Sequence, residues 1–456
     1  SIIEINTLFT YWSESEGLGK VFDIIKHKGR TYVASNQNFK ILNPENNRFE
    51  DVESDLGTGQ VWDLYLYKCQ NKEILLGSAQ GGLLEIDGNK GKKIAGIGKT
   101  VFKVYSPKKY PEFLFASTSD SLYLLEYKAN KLQVRGAVSG YNHETRHLEE
   151  DEDGTFWLAS LYKGIYSFPL AGGPDAWLNP TISTYDSLNN LPSMGKNAIR
   201  NVNGKLIFVT SKGLLEFNQA TKKFEESNLF GEVSSLKGVE DIDLLGLDKS
   251  EKLWFRTENT TGSFDFETNL VDTMFFKRLP HMELNAFYPD ADGTSIWVGG
   301  SEGLYKYDNT SMQLLPSFET LIRKVYVNSD SLIFGGASTQ ISSGLSFEFP
   351  YSVAHQSIIV QFAAPSYDYE EANTYSYKLE KTEKNLFAKK DDTWSHWSQK
   401  SEKEYTNLRE GTYVFRVKAK NIYGIESGES SFKFTILSPW YRSWWAYILY
   451  SFFALL

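Results

Sequence analysis

The chain has 456 residues, a formal net charge of −9, 15% aromatic residues and one cysteine, Cys69. Its Lys and Arg are dispersed, which excludes the clustered basic footprint of a nucleic-acid binder. A lone cysteine excludes a disulfide framework and thiolate metal sites, and the length accommodates two or three domains with sizeable cores. No basic and apolar leader stands before Ser1, so any signal peptide is expected outside this sequence or already removed.

The first segment, Ile2 to Trp12, is strand-like but has no turn-strand phrase of its own. It reads as an outer strand that completes the last unit of a ring and latches it. Beyond it one phrase recurs: a polar turn, a short apolar strand ending in small residues, then a second strand usually opened by Gly. The copies are GRTYVAS/NFKILNP from Gly29, KEILLGS/GGLLEID from Lys72, PEFLFAS/DSLYLLEY from Pro111, and DGTFWLAS/KGIYSF from Asp153. They continue as NGKLIFVT/KGLLEFN from Asn203, SEKLWFRT/TGSFDF from Ser250, DGTSIWVGG/EGLYKYD from Asp292, and DSLIFGG/SGLSFEF from Asp330. The spacing matches the ~40–50 residues of a four-stranded propeller blade. A lone strand pair cannot bury its faces, whereas blades stacked radially can.

Each phrase follows another apolar strand, beginning at Val21, Val61, Val101, Thr145, Ile199, Ile242, Asn285 and Ile322. These are the expected innermost strands. The next strand carries small residues at Ala34, Gly77, Ala116, Ala159, Gly299 and Gly335, which lets neighbouring blades approach. Val209 and Arg256 break that rule, so blades five and six should pack less regularly. Counting phrases gives eight blades; seven is the alternative if the irregular last copy, interrupted by STQISS, belongs partly to a linker.

From Tyr351 the phrase gives way to alternating strands, including SIIVQFAAPSY, TYSYKLEK, GTYVFRVKAKN and SSFKFTIL, which suit a small β-sandwich. Trp394 and Trp397 are expected at its core or edge. Tyr405, Asn407, Leu408 and Gly411 before Tyr413 resemble a tyrosine corner, where the phenol caps nearby backbone. The last stretch, LSPWYRSWWAYILYSFFALL from Leu437, carries no charge after Arg442. Its twelve final residues are too few for the roughly 20 that cross a bilayer. It is therefore either a truncated span or a helix buried on the preceding domain, and the clustered tryptophans favour the span. The expected domains are a propeller over 1–349, a sandwich over 350–437, and a juxtamembrane segment with the start of a membrane helix over 438–456.

Few residues point to chemistry. GIGKT at Gly96–Thr100 resembles the end of a phosphate loop, but Lys93 stands where that loop needs Gly. The acidic runs EEDEDG (Glu149–Gly154) and DADG (Asp290–Gly293) lack the downstream Glu of a calcium loop, and strand turns explain them better. His143 and His147 have zinc-like spacing only on a helix, and here the context is loop and strand. No nucleophile triad sits in an elbow context. No catalytic residue, metal or cofactor is assigned. Residues just before each innermost strand should ring the channel opening: Gln60, Trp62, Arg146, Asn197, Arg200, Asp241, Asn285 and Arg323. Arg, Asn and Trp in such a ring suit a sugar or an anionic ligand; the competing reading places Trp62 in a blade core and the arginines in solvent or in ion pairs. The insertion Pro169–Lys196, with Trp177, is a lid or a loop.

Repeats of the form DGTxxW followed by GLYxYD, then YSYKLE, WSHWS, EYTNLREGTYVFRVKAKNIYG and PWYRSWWAYILY, resemble the extracytoplasmic sensor region of bacterial two-component-type receptors. In that family regulator-propeller repeats precede a triple-tyrosine (Y_Y_Y) domain. The resemblance spans essentially the whole chain and is most specific from Tyr405 to Tyr450. It implies that Tyr377 (or Tyr375), Tyr405 and Tyr413 are the name-giving structural tyrosines. It also implies a single membrane helix and a cytoplasmic output module, such as a histidine kinase, after this region. Trp440, Tyr441, Arg442, Trp444 and Trp445 would then couple the signal to the membrane. The family further implies a periplasmic location, a homodimer formed through the sandwich, an additional propeller upstream in many members, and a ligand for which carbohydrate is the best-known class. The competing functions are a propeller enzyme acting on polysaccharide and a membrane-tethered adhesion or scaffold module.

Overall fold

The computed structural model describes residues 9–455 except 58, 232–235, 237–238, 259, 274–276, 278–281, 309–316, 329, 339–346, 356, 368 and 383–392. It divides into two units, 8–313 and 314–456 with the N-terminal seven residues.

The first unit is a ring of seven sheets, antiparallel except that Glu53–Ser54 adds parallel to Lys90–Lys93 at the outer edge of the second. Their innermost strands are Val21–His27, Val61–Cys69, Val101–Tyr105, Thr145–Glu150, Ala198–Val202, Asp243–Leu247 and Leu284–Pro289. Each innermost strand packs against the next, and Leu284–Pro289 packs back on Val21–His27, which closes the ring. Of the latch expected over Ile2–Trp12, Phe9–Trp12 pairs with Gly303–Asp308 as the outer strand of blade seven, with Tyr11 opposite Tyr305, and Ile2–Leu8 lie outside the described residues. Trp12 is buried, stacks on Trp297 at 5.3 Å and donates from Nε1 to the Asn47 carbonyl at 3.0 Å. One indole thus ties blade seven to the turn between the outer strands of blade one.

The repeated turn explains the acidic runs. In blade four, Asp151 accepts from the Thr155 N–H and from Trp157 Nε1, both at 2.8 Å. Asp248 and Trp254 repeat the indole bond in blade six, and Asp290 and Trp297 in blade seven. The aspartate satisfies a buried indole, because an unpaired N–H there is costly. Gly96–Thr100 is likewise a connection between blades, with Lys99 paired to Asp120 at 2.7 Å.

Small residues where blades meet are needed sterically. A Cβ on Gly77 would lie 2.2 Å from Phe39 of blade one, and a Cβ on Gly299 2.4 Å from Val21. The stretch Pro169–Lys196 is neither simple lid nor loop. Its short helix Pro174–Trp177 seats Trp177, fully buried, against Phe113 and Phe115, and Ser183–Tyr185 is the outer strand of blade four.

The eighth phrase is not a blade. Leu321–Val327 pairs with Ile358–Ala363, Ile322 lying opposite Phe362, and Ser331–Ser338 forms the edge of the same sheet. The ring therefore has seven blades, and the sandwich begins before the boundary expected at 350. Sequence pattern does not separate the two outcomes, because an apolar hairpin serves either sheet. In the second unit the sheet holding Leu321–Val327 and Ile358–Ala363 ends with Glu402–Tyr405. The other sheet runs Phe347–Phe349, Ser430–Ile436, Gly411–Lys420 and Thr374–Lys381, with its first two strands parallel. The two sheets enclose one core around Phe362, Phe415, Phe432 and Val360. Tyr377 and Tyr405 pack on Phe415, and Tyr413 stacks on Phe434 while its hydroxyl donates to the Arg409 carbonyl at 2.8 Å. That is the tyrosine-corner geometry. Tyr375 accepts the Ala364 N–H at 3.2 Å.

Trp394 and Trp397 lie at the edge, half-buried. Ser395 and Ser398 zip their segment onto Tyr377 and Tyr375 of the edge strand. Lys418 lies over both indoles, at 5.0 and 5.3 Å, while Lys378 lies over Trp394 at 4.9 Å and Lys420 over Trp397 at 4.2 Å.

Candidate functional site at the mouth of the propeller channel

The site begins with a backbone irregularity. In blades one to four and seven, the innermost strand carries one extra residue near its start, displacing the register between Val21/Asp23, Val61/Asp63, Val101/Lys103, Thr145/His147 and Leu284/Ala286. Such a bulge re-aims its side chain. The extra residues are Phe22, Trp62, Phe102, Arg146 and Asn285. Phe22 and Trp62 lie 5.0 Å apart and Trp62 and Phe102 5.3 Å. The Arg146 guanidinium covers Trp62 at 4.3 Å and Phe102 at 3.9 Å, and Glu144 holds it at 2.6 Å. Blades one to four thus present an aromatic and guanidinium cluster, stabilised by cation–π attraction.

One residue further along, the same strands carry Asp23, Asp63, Lys103 and His147. Asp23 accepts the Leu64 N–H of the next blade at 2.8 Å, and Asp63 pairs with Lys103 at 2.7 Å. These carboxylates staple neighbouring blades. Burial and then the Asp63 charge push Asp23 up to about 7, against the opposing pull of Lys103. Burial works against the Lys103 charge, but Asp63 and Asp23 outweigh it and raise its pKa. His147 is held well below its ordinary value by burial, then by Arg200, Lys103 and Arg146. Its Nδ1 faces Arg200 Nη1 at 2.8 Å, so the neutral ring accepts from the guanidinium. Arg200 also donates from Nε to the Leu244 carbonyl at 2.8 Å and lies 3.6 Å from Asp243.

Blades four to seven enclose an open, polar cavity of about 830 Å³. Arg146, Asn197, Arg200 and Asp241, four of the residues expected at the opening, line it. Asn197 is buried and donates from Nδ2 to the Ser193 carbonyl, and its Oδ1 has no partner among the described residues. Trp62 stands beside Arg146, half-buried, as part of the aromatic cluster. Asn285 donates to the Val21 carbonyl at 3.3 Å, and the Gln60 carbonyl accepts from the Gln80 N–H at 2.9 Å; neither lines the cavity. Arg323 does not precede an innermost strand: it lies on Leu321–Val327, a strand of the sandwich, where its side chain is exposed.

His147, Lys196, Asp243, Arg256 and Lys277 also line the cavity and were not anticipated. For Arg256 the signal was present: the break in the small-residue rule falls on it and on Val209, and both are in the wall. Blade five also pairs without a bulge, and in blade six the shift moves to Leu244/Gly246. His143 stacks on Tyr166 at 5.0 Å, away from the Arg200 partnership of His147. Among the described residues, no group of His, Cys, Asp and Glu is placed to hold a metal ion.

At the C-terminus, Trp440–Arg442 form a 3-10 turn before the helix Trp444–Leu455. Arg442 pairs with Glu410 at 2.6 Å, one residue from the carbonyl that caps Tyr413. Trp444 is 76% exposed and only Ala446 of the helix is buried, which overturns the buried-helix alternative. Among the described residues no helix is long and apolar enough to cross a membrane.

Comparison with known proteins agrees with the fold. Residues 366–437 match the Y_Y_Y domain family. Two solved structures from B. thetaiotaomicron are similar. One is described as the extracellular domain of a hybrid two-component system, with TM-score 0.62, 16% identity, 94% of this chain and 57% of that one covered. The other, also described as such a domain, gives TM-score 0.51, 16% identity, and coverage of 96% and 60%. This chain therefore spans less than two thirds of the length of either. No curated protein matches it.

Proposed function

We propose that this chain is the extracytoplasmic ligand-sensing region of a membrane-anchored signalling receptor and is not itself an enzyme. The observation that carries the reading is the polar cavity of about 830 Å³ where the propeller's repeat pattern breaks. A volume of that size suits a small ligand, with a few placed polar groups fixing its orientation. The Y_Y_Y match and the likeness to extracellular domains of signalling systems support a sensing role over catalysis or adhesion. Ligand binding changes how two sandwiches pair, and the change passes through Trp440–Trp445 toward a membrane helix and a cytoplasmic output module. The exposed aromatic face of Trp444–Leu455 supports that route. Carbohydrate is the ligand class to screen first.

A thermal-shift screen of oligosaccharides tests the reading, because a ligand that binds only the native state raises apparent stability by about 2.7 kcal/mol at a hundred times its Kd. A hit whose effect disappears in Asn197→Ala is expected. Turnover of a glycan by the purified chain, abolished by Asp241→Asn, would instead establish the enzyme.

A further inference from the structure

The cavity reading leaves one residue without a role. At one place of the repeated phrase, the strand neighbouring the innermost strand carries Ala34, Gly77, Ala116, Ala159 and Gly299 in blades one to four and seven, and Val209 in blade five. In blade six that place is taken by Arg256, opposite Asp243. A guanidinium at a position that holds Ala, Gly or Val in the other blades is costly to place unless its charge is used.

We propose that Arg256 receives an anionic oxygen group of the ligand, a carboxylate, sulfate or phosphate ester. This rests on the reading of the cavity as the ligand site. Arg256 lines the cavity half-buried, and Nη1 is pinned to the Met282 carbonyl at 3.1 Å. That bond fixes the fork while leaving its other N–H groups without a partner among the described residues, and a planar fork of donors matches such oxygens. The other guanidiniums of the wall are committed: Arg146 to Glu144, Arg200 to Leu244, His147 and Asp243. Lys196, exposed at the lip, adds a second cation with no ion-pair partner among the described residues. Of the wall's carboxylates, Glu283 is neutralised by Lys20 at 2.7 Å and Asp243 faces Arg200. Asp241 and Glu258 are exposed, where water and salt screen them.

The test is isothermal titration of the whole chain with sodium sulfate, phosphate and citrate at constant ionic strength, with glucose as the neutral control. Saturable binding of at least one anion is expected. It should weaken about ten- to a hundredfold in Arg256→Gln, the loss of a charged hydrogen-bond partner, and recover in part in Arg256→Lys. Lys196→Ala, an exposed change that leaves the fold intact, should also weaken it. The arms separate carboxylate from sulfate and phosphate. Absence of saturable anion binding, or equal affinity in Arg256→Gln, overturns the proposal. A neutral oligosaccharide that binds Arg256→Gln as it binds wild type, yet fails with Asn197→Ala, overturns the anion role while keeping the cavity as the ligand site.

Discussion

Asp23→Asn isolates one titrating group in the channel. Its carboxyl is raised from 3.8 to about 7 by burial and by Asp63. The native state therefore holds a proton that the unfolded chain releases, and stability falls as pH rises from about 4 to about 7. Three pKa units at 1.36 kcal/mol each give about 4 kcal/mol, reduced toward ~2 kcal/mol by channel water and by the neighbouring Lys103. Asn keeps the shape but does not titrate. It also turns an amide toward one of the two N–H groups, of Leu64 and Ile24, that the carboxylate accepts. That mismatch costs the same at every pH, so the informative quantity is a double difference. Urea unfolding followed by tryptophan fluorescence, on both proteins at pH 4.5 and pH 8, should show wild type losing ~2–4 kcal/mol more than Asp23→Asn across the interval. A difference between the two proteins that stays constant within ~0.5 kcal/mol would refute the buried, carboxylate-crowded environment argued for Asp23.

Three further outcomes follow from the packing. Trp12→Ala removes the indole stacked on Trp297 and bonded to the Asn47 carbonyl, and should cost about 3–5 kcal/mol in a denaturation experiment on the propeller transition. Gly300→Ala would set a Cβ 2.0 Å from the Glu283 carbonyl oxygen, so a strand must shift; a loss of about 1–3 kcal/mol is expected, and an unchanged melting temperature would contradict the close approach. Tyr413→Phe deletes the hydroxyl that bonds the Arg409 carbonyl and should destabilise the sandwich by about 0.5–1.5 kcal/mol, read by urea unfolding.

The repeat was legible because each blade solves the same burial problem with the same residues. The latch at Phe9–Trp12, the seven innermost strands and the tyrosine corner at Tyr413 all stand where the pattern put them. The eighth hairpin misled because its apolar alternation fits a blade or a sandwich edge equally, and the choice falls to its pairing with Ile358–Ala363. Arg323 went astray with it. At the channel, Arg146, Asn197, Arg200 and Asp241 were reachable from their place before or on the innermost strand. Asp23, Asp63, Lys103 and His147 were not, because the bulge that turns them is a property of the ladder. A polar residue recurring inside VFDII, VWDLYLY, VFKVY and TRHLEE was their trace in sequence.

The central claim is that the cavity of blades four to seven receives the ligand. A crystal structure of the chain with the strongest stabilising compound from the oligosaccharide screen tests it most directly. The account predicts that the compound lies against Asn197 and Arg256 in the cavity wall. Ordered density for it elsewhere, with that cavity filled only by water, would contradict the account.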